Sequence, residues 1–536
     1  MKVKHWLLAA AVFCASAGSR PFSAEQPPRA ELITSHHGHT PALLGLVPGL
    51  QSRPNAPFHV FPLHRPNANA GKGHRGGGSW TDPALQTSYS TSLAASVGIS
   101  FTGVGASGYV PPDPNISVGP TQIVETTNVQ FAVYDKAGNR LLGPAALHTI
   151  WSSLGSGSLC ATTDGGDPIV LWDKPDGRWI ISQLAFNSSF NQNEFCLAIS
   201  DTSDATGSYH VYDFSFGSSL PDYPKLGVWK EASGKYSGIY FAANMFNKGV
   251  TFSGAKMCAL PLVSSGLPQS TMLCVQQPTS VYSLLPADLE GTTAAPSATG
   301  DFYLQAISGS GGITQLNLFQ FRPDFTTPSN TTVTGPTPLS VASFHEACGG
   351  GTCVPQPGTS QQLDSLGDRL MYRLSYRNYG SYDSLVVNHS VQVSSASNQT
   401  GIRWYEIRTP GSTPTVYQQS TYSPDTSLYR WMASIAQDKV GNFGLGFSIS
   451  SSSQVPSIAI AGRQASDPLN TLAQQVLVKA GVGVQTSVNR WGDYTSVSVD
   501  PTDDCTFWYV NEYLASNGSY TNWVTQITSF RFTSCQ

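Results

Sequence analysis

Arg490-Trp491-Gly492-Asp493-Tyr494-Thr495-Ser496-Val497-Ser498-Val499-Asp500, followed by Cys505-Thr506-Phe507-Trp508-Tyr509, decides how the chain is read. A polar cluster at a turn leads into an alternating strand. An Asp/Pro turn follows, then a second, more apolar strand. The stretch is the clearest copy of a unit that recurs along the chain.

Working back from it, six further units open on a polar turn. They are Pro111-Pro112-Asp113-Pro114-Asn115, Asp164-Gly165-Gly166-Asp167-Pro168, Asp222-Tyr223-Pro224-Lys225, Glu290-Gly291-Thr292-Thr293, Leu366-Gly367-Asp368-Arg369 and Tyr429-Arg430-Trp431. The anchors Asp113, Asp167, Asp222, Thr293, Asp368, Arg430 and Asp493 recur at intervals of roughly 55 to 75 residues, longer than the roughly 40–50 of common propeller repeats. That length suits four strands per unit with long loops.

The second unit offers strands at Ile169–Asp173, Trp179–Phe186, Phe195–Ser200 and Tyr209–Phe216. The sixth offers Trp431–Gln437, Phe443–Ser448, Ser457–Ala461 and Gln475–Lys479. The seventh offers three, ending at Asn522–Phe532, and a fourth strand near Val97–Val104 would complete it and close a ring between the chain ends. The expected fold is all-β: a seven-bladed β-propeller closed by an N-terminal strand, with six or eight blades as the alternatives.

Composition agrees. Only 12% of the 536 residues are charged, while Gly and Pro reach 51 and 36. This favours a turn-rich sheet protein. A net charge of −4 excludes a basic nucleic-acid footprint. Residues 1–17 read as a signal peptide, with Lys2 and Lys4, an apolar stretch Trp6 to Phe13, and Ala15-Ser16-Ala17. Bulky Phe13 before Cys14 argues against a lipid anchor, and no other run is long enough to span a membrane. The expected location is secreted, periplasmic or cell-surface, and the chain is expected to be a monomer. Setting Cys14 aside leaves eight cysteines, paired by proximity as Cys160–Cys196, Cys258–Cys274, Cys348–Cys353 and Cys505–Cys535.

Residues 18–95 lack apolar periodicity and read as a poorly ordered leader or linker before a propeller domain at 96–536. The leader carries His36-His37-Gly38-His39, with His59, His64 and His74 nearby; a metal site is one reading, and a solvated tail is the plainer one because no acidic or Cys partner is close in sequence.

Pro111-Pro112-Asp113-Pro114-Asn115 with Val118-Gly119-Pro120, Asp222-Tyr223-Pro224-Lys225-Leu226-Gly227-Val228-Trp229, Leu366-Gly367-Asp368-Arg369-Leu370-Met371-Tyr372-Arg373 and Asn489-Arg490-Trp491-Gly492-Asp493-Tyr494 resemble a family of exported bacterial propeller-like proteins with no assigned activity. The resemblance spans about residue 100 to the end. It implies an exported propeller and carries over no catalytic residue.

In a propeller, the turn before each innermost strand lies at one mouth of the central channel. Asp113, Asp167, Asp222, Lys225, Asp368, Arg369, Arg430, Arg490 and Asp493 are expected to ring it. Carboxylates with guanidiniums suit a polar ligand such as sugar hydroxyls or a uronate. The plainer alternative is that each Asp satisfies backbone groups in a tight turn.

His345 and Glu346, before the Cys348–Cys353 loop, are further ligand-binding candidates. For catalysis the candidates are Asp167, Asp222, Asp368 and, as general base, His389. A glycosidase would need two carboxylates roughly 5 to 9.5 Å apart. Asp164-Gly165-Gly166-Asp167 offers a Ca²⁺ reading against a plain turn; no metal site is otherwise expected.

The chain has no Gly-x-Ser-x-Gly elbow, phosphate-binding Gly-x-x-x-x-Gly-Lys, His-Glu-x-x-His or Cys-x-x-Cys. The expected function is binding of a polar extracellular ligand of the polysaccharide class, with hydrolase or lyase cleavage at the mouth. The alternative is a non-catalytic binding or adhesion module for glycan or protein.

Overall fold

A computed structural model of the chain describes residues 29–46, 58–66, 78–89, 92–262, 270–309, 311–408, 413–516 and 522–536. The signal-peptide residues 1–17 and Cys14 lie outside them.

Among the described residues the strands form two nine-stranded sheets, three four-stranded sheets and two two-stranded pairs, one nine-stranded sheet being joined through a parallel pairing of Leu285–Leu289 with Met371–Asn378; the successive antiparallel runs within them are labelled as units in chain order. Unit 1 runs Asn115–Val118, Gln122–Thr127, Gln130–Asp135, Arg140–Ala146. Unit 2 runs Ile169–Asp173, Arg178–Phe186, Asn193–Ser200, Tyr209–Gly217. Unit 3 runs Ser219–Trp229, Gly238–Asn247, Thr251–Pro261, Thr271–Gln276. Unit 4 runs Leu285–Leu289, Asp301–Ala306, Ile313–Arg322, Thr332–Glu346. Unit 5 runs Met371–Asn378, Asp383–Ser394, Ser397–Arg408, Thr415–Tyr422. Unit 6 runs Tyr429–Gln437, Phe443–Ser450, Ser457–Arg463, Val476–Lys479. Unit 7 has Ser496–Val499, Thr506–Leu514 and Trp523–Phe532, and its outer strand is Ala95–Gly105, antiparallel to Trp523–Phe532.

The first strand of each unit touches the first strand of the next, and that of unit 7 touches that of unit 1. Apolar side chains fill the spaces between units. Ile458 and Ile460 of unit 6 share a core with Phe507 and Phe530 of unit 7. Small residues set that spacing: a Cβ on Gly446 would lie 2.4 Å from the Tyr509 ring. The first strands of the units are buried on both faces, unlike outer strands such as Ala95–Gly105 and Val476–Lys479.

Two sequence expectations change. Glu290-Gly291 follows the first strand of unit 4 rather than opening it. The turn that occupies the equivalent place holds Ser283, at φ 47°. The leader is also structured where it is described. Ala30–His39 inserts between the outer strands of units 2 and 3 and pairs antiparallel with both. His59–Val60 pairs with Tyr109–Val110, and Leu85–Gln86 with Thr421–Tyr422. These pairings, absent from a poorly ordered linker, tie the N-terminal segment to four different units or their connections.

Candidate functional site

The polar turns before the first strands of units 7, 1 and 2 and the bulge Asp222–Lys225 within the first strand of unit 3 are stitched by side chains. Asp113 Oδ1 accepts from Asp493 N at 2.7 Å, and its Oδ2 accepts from Asn128 Nδ2 at 2.8 Å. Asn128 Oδ1 accepts from Asp167 N at 2.9 Å, and Asp167 Oδ2 accepts from Tyr223 N at 3.1 Å. Asp113, Asp167 and Tyr223 all sit at positive φ, 49°, 53° and 53°, a conformation such hydrogen bonds hold in place.

The centre between the turns is filled. Tyr494 Oη lies 3.1 Å from Asp167 Oδ2 and 3.0 Å from Pro224 O. Lys225 Nζ is sandwiched between the rings of Tyr223 and Tyr494, 3.2 and 3.6 Å from their centroids. Arg369 also packs over the Tyr223 ring, its guanidinium 4.5 Å from the centroid, and grips Asp368 through Nε and Nη2 at 2.8 and 3.1 Å. Arg490 grips Asp493 through both Nη atoms at 2.9 and 2.8 Å. Tyr223 Oη, Arg369 Nη1 and Arg490 Nε are buried with no hydrogen-bond partner.

Burial shapes the acidity of this cluster. It lifts Asp113 well above the usual carboxylate range, helped by the charges of Asp493 and Asp167. It lifts Asp167 to about 7, helped by Asp222 and opposed by Lys225. Burial likewise holds Lys225 well below its ordinary value, and raises Glu512, whose Oε1 accepts from Gly492 N at 2.7 Å, to about 8. Asp368 behaves oppositely. Burial disfavours its charge, but the Arg369 guanidinium, with Arg65, holds it below the usual range.

The leader reaches this mouth. His64 Nδ1 lies 2.9 Å from Asp222 Oδ1. Burial works against the His64 imidazolium, yet the hydrogen bond and charge of Asp222 outweigh it and raise the imidazole above its ordinary value. Arg65 bridges Asp364 and Asp368, each at 3.0 Å, and donates to the Gly350 carbonyl. Beside Arg65 a cleft of about 480 Å³ is lined by Phe61, Leu63, Arg65, Asp364, Asn489 and Arg490, among others.

The structure thus gathers Asp113, Asp167, Asp222, Lys225, Asp368, Arg369, Arg490 and Asp493. Other candidates lie elsewhere. His389 is buried in the second strand of unit 5, Nε2 3.0 Å from Tyr405 Oη and edge-on to Phe344. Burial, with Arg403, holds its imidazole down to about 3, so it stays neutral and is a poor general base. Arg430 is fully buried in unit 6, where it pairs with Asp425, Gln475 and Leu428 and so holds a turn rather than a ligand. His345 stacks on Trp80 at 3.7 Å. Glu346 accepts from Ser308 Oγ and from Gly309 N, the latter at 3.3 Å.

Asp164 accepts from His148 N at 2.7 Å, with His148 Nδ1 2.7 Å from its other oxygen, while Asp167 turns to Tyr223 and Tyr494. The two carboxylates are engaged separately, which does not suit a shared Ca²⁺. All four disulfides form as spacing suggested.

Sequence reasoning missed Asn128, Asp364, His64 and Arg65. Tyr223 and Tyr494 stood inside quoted motifs but were passed over for their charged neighbours. It also missed a second charged cluster. Lys174 pairs with Glu290 at 2.8 Å, Arg373 with Asp288 and with Glu290 (3.2 Å), and Arg377 with Asp504 at 2.6 Å. Lys174 and Glu290 follow the first strands of units 2 and 4, so this cluster lies toward the opposite end of the inner strands from Asp167.

No protein-family model matches the chain, and no curated protein matches it. Among solved structures, it is similar to the GH93 alpha-L-arabinofuranosidase of Fusarium graminearum in complex with arabinobiose. The TM-score is 0.35 at 9% identity, covering 85% of this chain and 99% of that one. The Penicillium chrysogenum alpha-L-arabinanase complexed with arabinobiose gives a TM-score of 0.36 at 10% identity, covering 82% and 99%. A protein of unknown function from Dyadobacter fermentans gives 0.36 at 10%, also covering 82% and 99%. Superpositions this loose carry no inference about activity.

Proposed function

We propose that the chain is a secreted seven-bladed β-propeller that binds a polysaccharide at the Asp167 mouth and cleaves it there. The cleft beside Arg65 carries the reading. An aromatic side chain, Phe61, whose ring stacks on Tyr109, lines it with a guanidinium pair, a carboxylate and an amide (Arg65, Arg490, Asp364 and Asn489). Sugar rings stack on aromatic side chains, and their hydroxyls or a uronate carboxylate bond to such groups. Its size falls in the range of about 300–1,000 Å³ usual for ligand pockets.

Support for the blade count comes from the circuit of first-strand contacts and from the pairing of 95–105 with 523–532. Export is supported by four disulfides, which persist in oxidising compartments. No helix among the described residues is long and apolar enough to cross a membrane.

Cleavage is assigned to Asp167. A carboxyl that keeps its proton to about 7 is matched to general-acid work near neutral pH. Asp222, close enough to raise it and held by His64, is the second carboxylate.

The test is a glycan and polysaccharide screen of the full exported chain, reading binding and released sugar together. The expected result is binding lost in Phe61→Ala and Asn489→Ala, and release lost in Asp167→Asn with binding kept. Product stereochemistry or an unsaturated end then separates hydrolase from lyase. Binding without release by the wild type removes the catalytic half of the reading. Absence of both removes the carbohydrate.

A further inference from the structure

The His-rich stretch of the leader lies outside the mouth and has its own geometry. His39 and His210 are direct cross-strand partners where Ala30–His39 pairs with the outer strand of unit 2. Asp201 comes from the turn that precedes that strand. His39 Nε2 lies 2.8 Å from Asp201 Oδ2, and His210 Nε2 lies 3.3 Å from Asp201 Oδ1. One nitrogen from each imidazole and one carboxylate oxygen all lie within 4.8 Å of one another. Asp201 Oδ1 is buried yet has no hydrogen bond of good geometry. Behind this trio, His37 Nε2 lies 2.9 Å from His210 Nδ1, and His37 stacks on Tyr212 at 4.8 Å.

We propose that His39, Asp201 and His210 form a divalent transition-metal site that clasps the N-terminal strand to unit 2. Two imidazoles and a carboxylate favour a borderline ion such as Zn²⁺ over Ca²⁺ or Mg²⁺, which take oxygen ligands. Zn²⁺ holds such ligands at about 2.0–2.2 Å, so small side-chain shifts would draw the three donors onto one ion. His39 is half exposed, leaving a position for water. With the ion on His210 Nε2, the opposite nitrogen carries the proton and donates to His37 Nε2. An outer hydrogen bond of that kind orients a ligating imidazole.

The site joins two segments far apart in the chain. Ala30–His39 is threaded between units 2 and 3, and among the described residues none of the four disulfides ties it to either. An ion bound to the docked strand, and not to the free one, would stabilise docking by mass action.

The test uses the untagged, exported chain with Zn²⁺ in titration calorimetry and thermal melts. Wild type should bind one equivalent more Zn²⁺ than His39→Ala, Asp201→Ala or His210→Ala, and melt a few degrees higher with Zn²⁺. His37→Ala should weaken that equivalent about 10- to 100-fold, as outer-ligand changes do. His36→Ala, whose imidazole pairs with Asp213 instead, should leave it intact. Ca²⁺ should not compete. Equal Zn²⁺ uptake by wild type and the half-exposed His39→Ala variant, or no uptake by either, overturns the proposal. His39→Ala removes a ligand at a half-exposed position, so this readout survives if His210→Ala fails to fold.

Discussion

The inner strands carry a buried charged cluster toward each end, and the two are built differently. Toward one end, Lys174–Glu290, Arg373–Asp288 and Arg377–Asp504 match each cation to an anion across units. At the other, Asp113, Asp167, Asp222, Asp364, Asp368 and Asp493 crowd around Lys225, Arg65, Arg369 and Arg490. The matched cluster is a set of staples. In the crowded one, burial and like charge raise Asp113 and Asp167, whereas at the matched end burial raises Glu290 against the pull of Lys174; buried donors without hydrogen-bond partners occur at both, Arg373 Nε at one and Arg369 Nη1 and Arg490 Nε at the other. What sets the crowded end apart is like charge: carboxyls that raise one another beside a cleft are the pattern on which the proposed site rests.

The largest expected effect breaks the staples. Glu290→Ala leaves Lys174 without its partner and Arg373 with one fewer. Removing one side of a buried pair costs about 3–5 kcal/mol. Denaturant unfolding should register that loss, with polysaccharide affinity per folded molecule unchanged. Intact stability with lost affinity would reverse the roles of the two ends.

Asp167→Asn probes the crowded end. Turnover should fall about 10²- to 10⁴-fold, as loss of a general acid does. Stability near pH 7 should move by less than about 1 kcal/mol, because the amide still accepts from Tyr223 N and Tyr494 Oη. In the wild type, turnover should drop as pH rises through about 7.

A smaller effect sharpens the seam between units 7 and 1. Glu125 is buried there, accepts from Val104 N and Tyr134 Oη at 3.1 Å each and from Thr525 Oγ1, and is lifted by burial to about 7. A carboxyl raised in the folded state favours folding fully below the unfolded value of roughly 4.3, and that contribution fades as pH rises to the folded value. Wild-type stability should therefore slope downward with pH through this window. Glu125→Gln should flatten the slope measured by denaturant titration from pH 4 to 8.

The smallest effect concerns the leader. Arg65 is mostly buried between Asp364 and Asp368, so Arg65→Lys, which keeps the charge beside both carboxylates, should cost about 1 kcal/mol of stability while weakening ligand binding measurably through loss of the planar fork. Equal affinity in the variant would detach the leader from the site.

Much of this was legible in the sequence. The strands of units 2 and 6 fell within a few residues of where they lie, because alternation and Asp or Gly turns mark their ends. The fourth unit was misphased because its true opening turn uses Ser283, while Glu290-Gly291 imitates an opening turn at the wrong end of the strand. Strand Ala30–His39 was invisible because half its neighbours are histidines and polar residues, with pairing partners more than 170 positions away for His36 and His37. His389 is misread as facing the channel because, in strands buried on both faces, alternation no longer says which side chain meets it. Arg430 reads as part of an opening turn, but it lies in the strand Tyr429–Gln437, tied to Asp425.

Hydrogen exchange with and without a bound oligosaccharide tests the contrast between the two ends most directly. The account predicts new protection at 58–66, 350–364 and 489–494, and none around Lys174, Glu290, Arg377 and Asp504. Protection confined to the matched cluster, or to the outer strands, would contradict it.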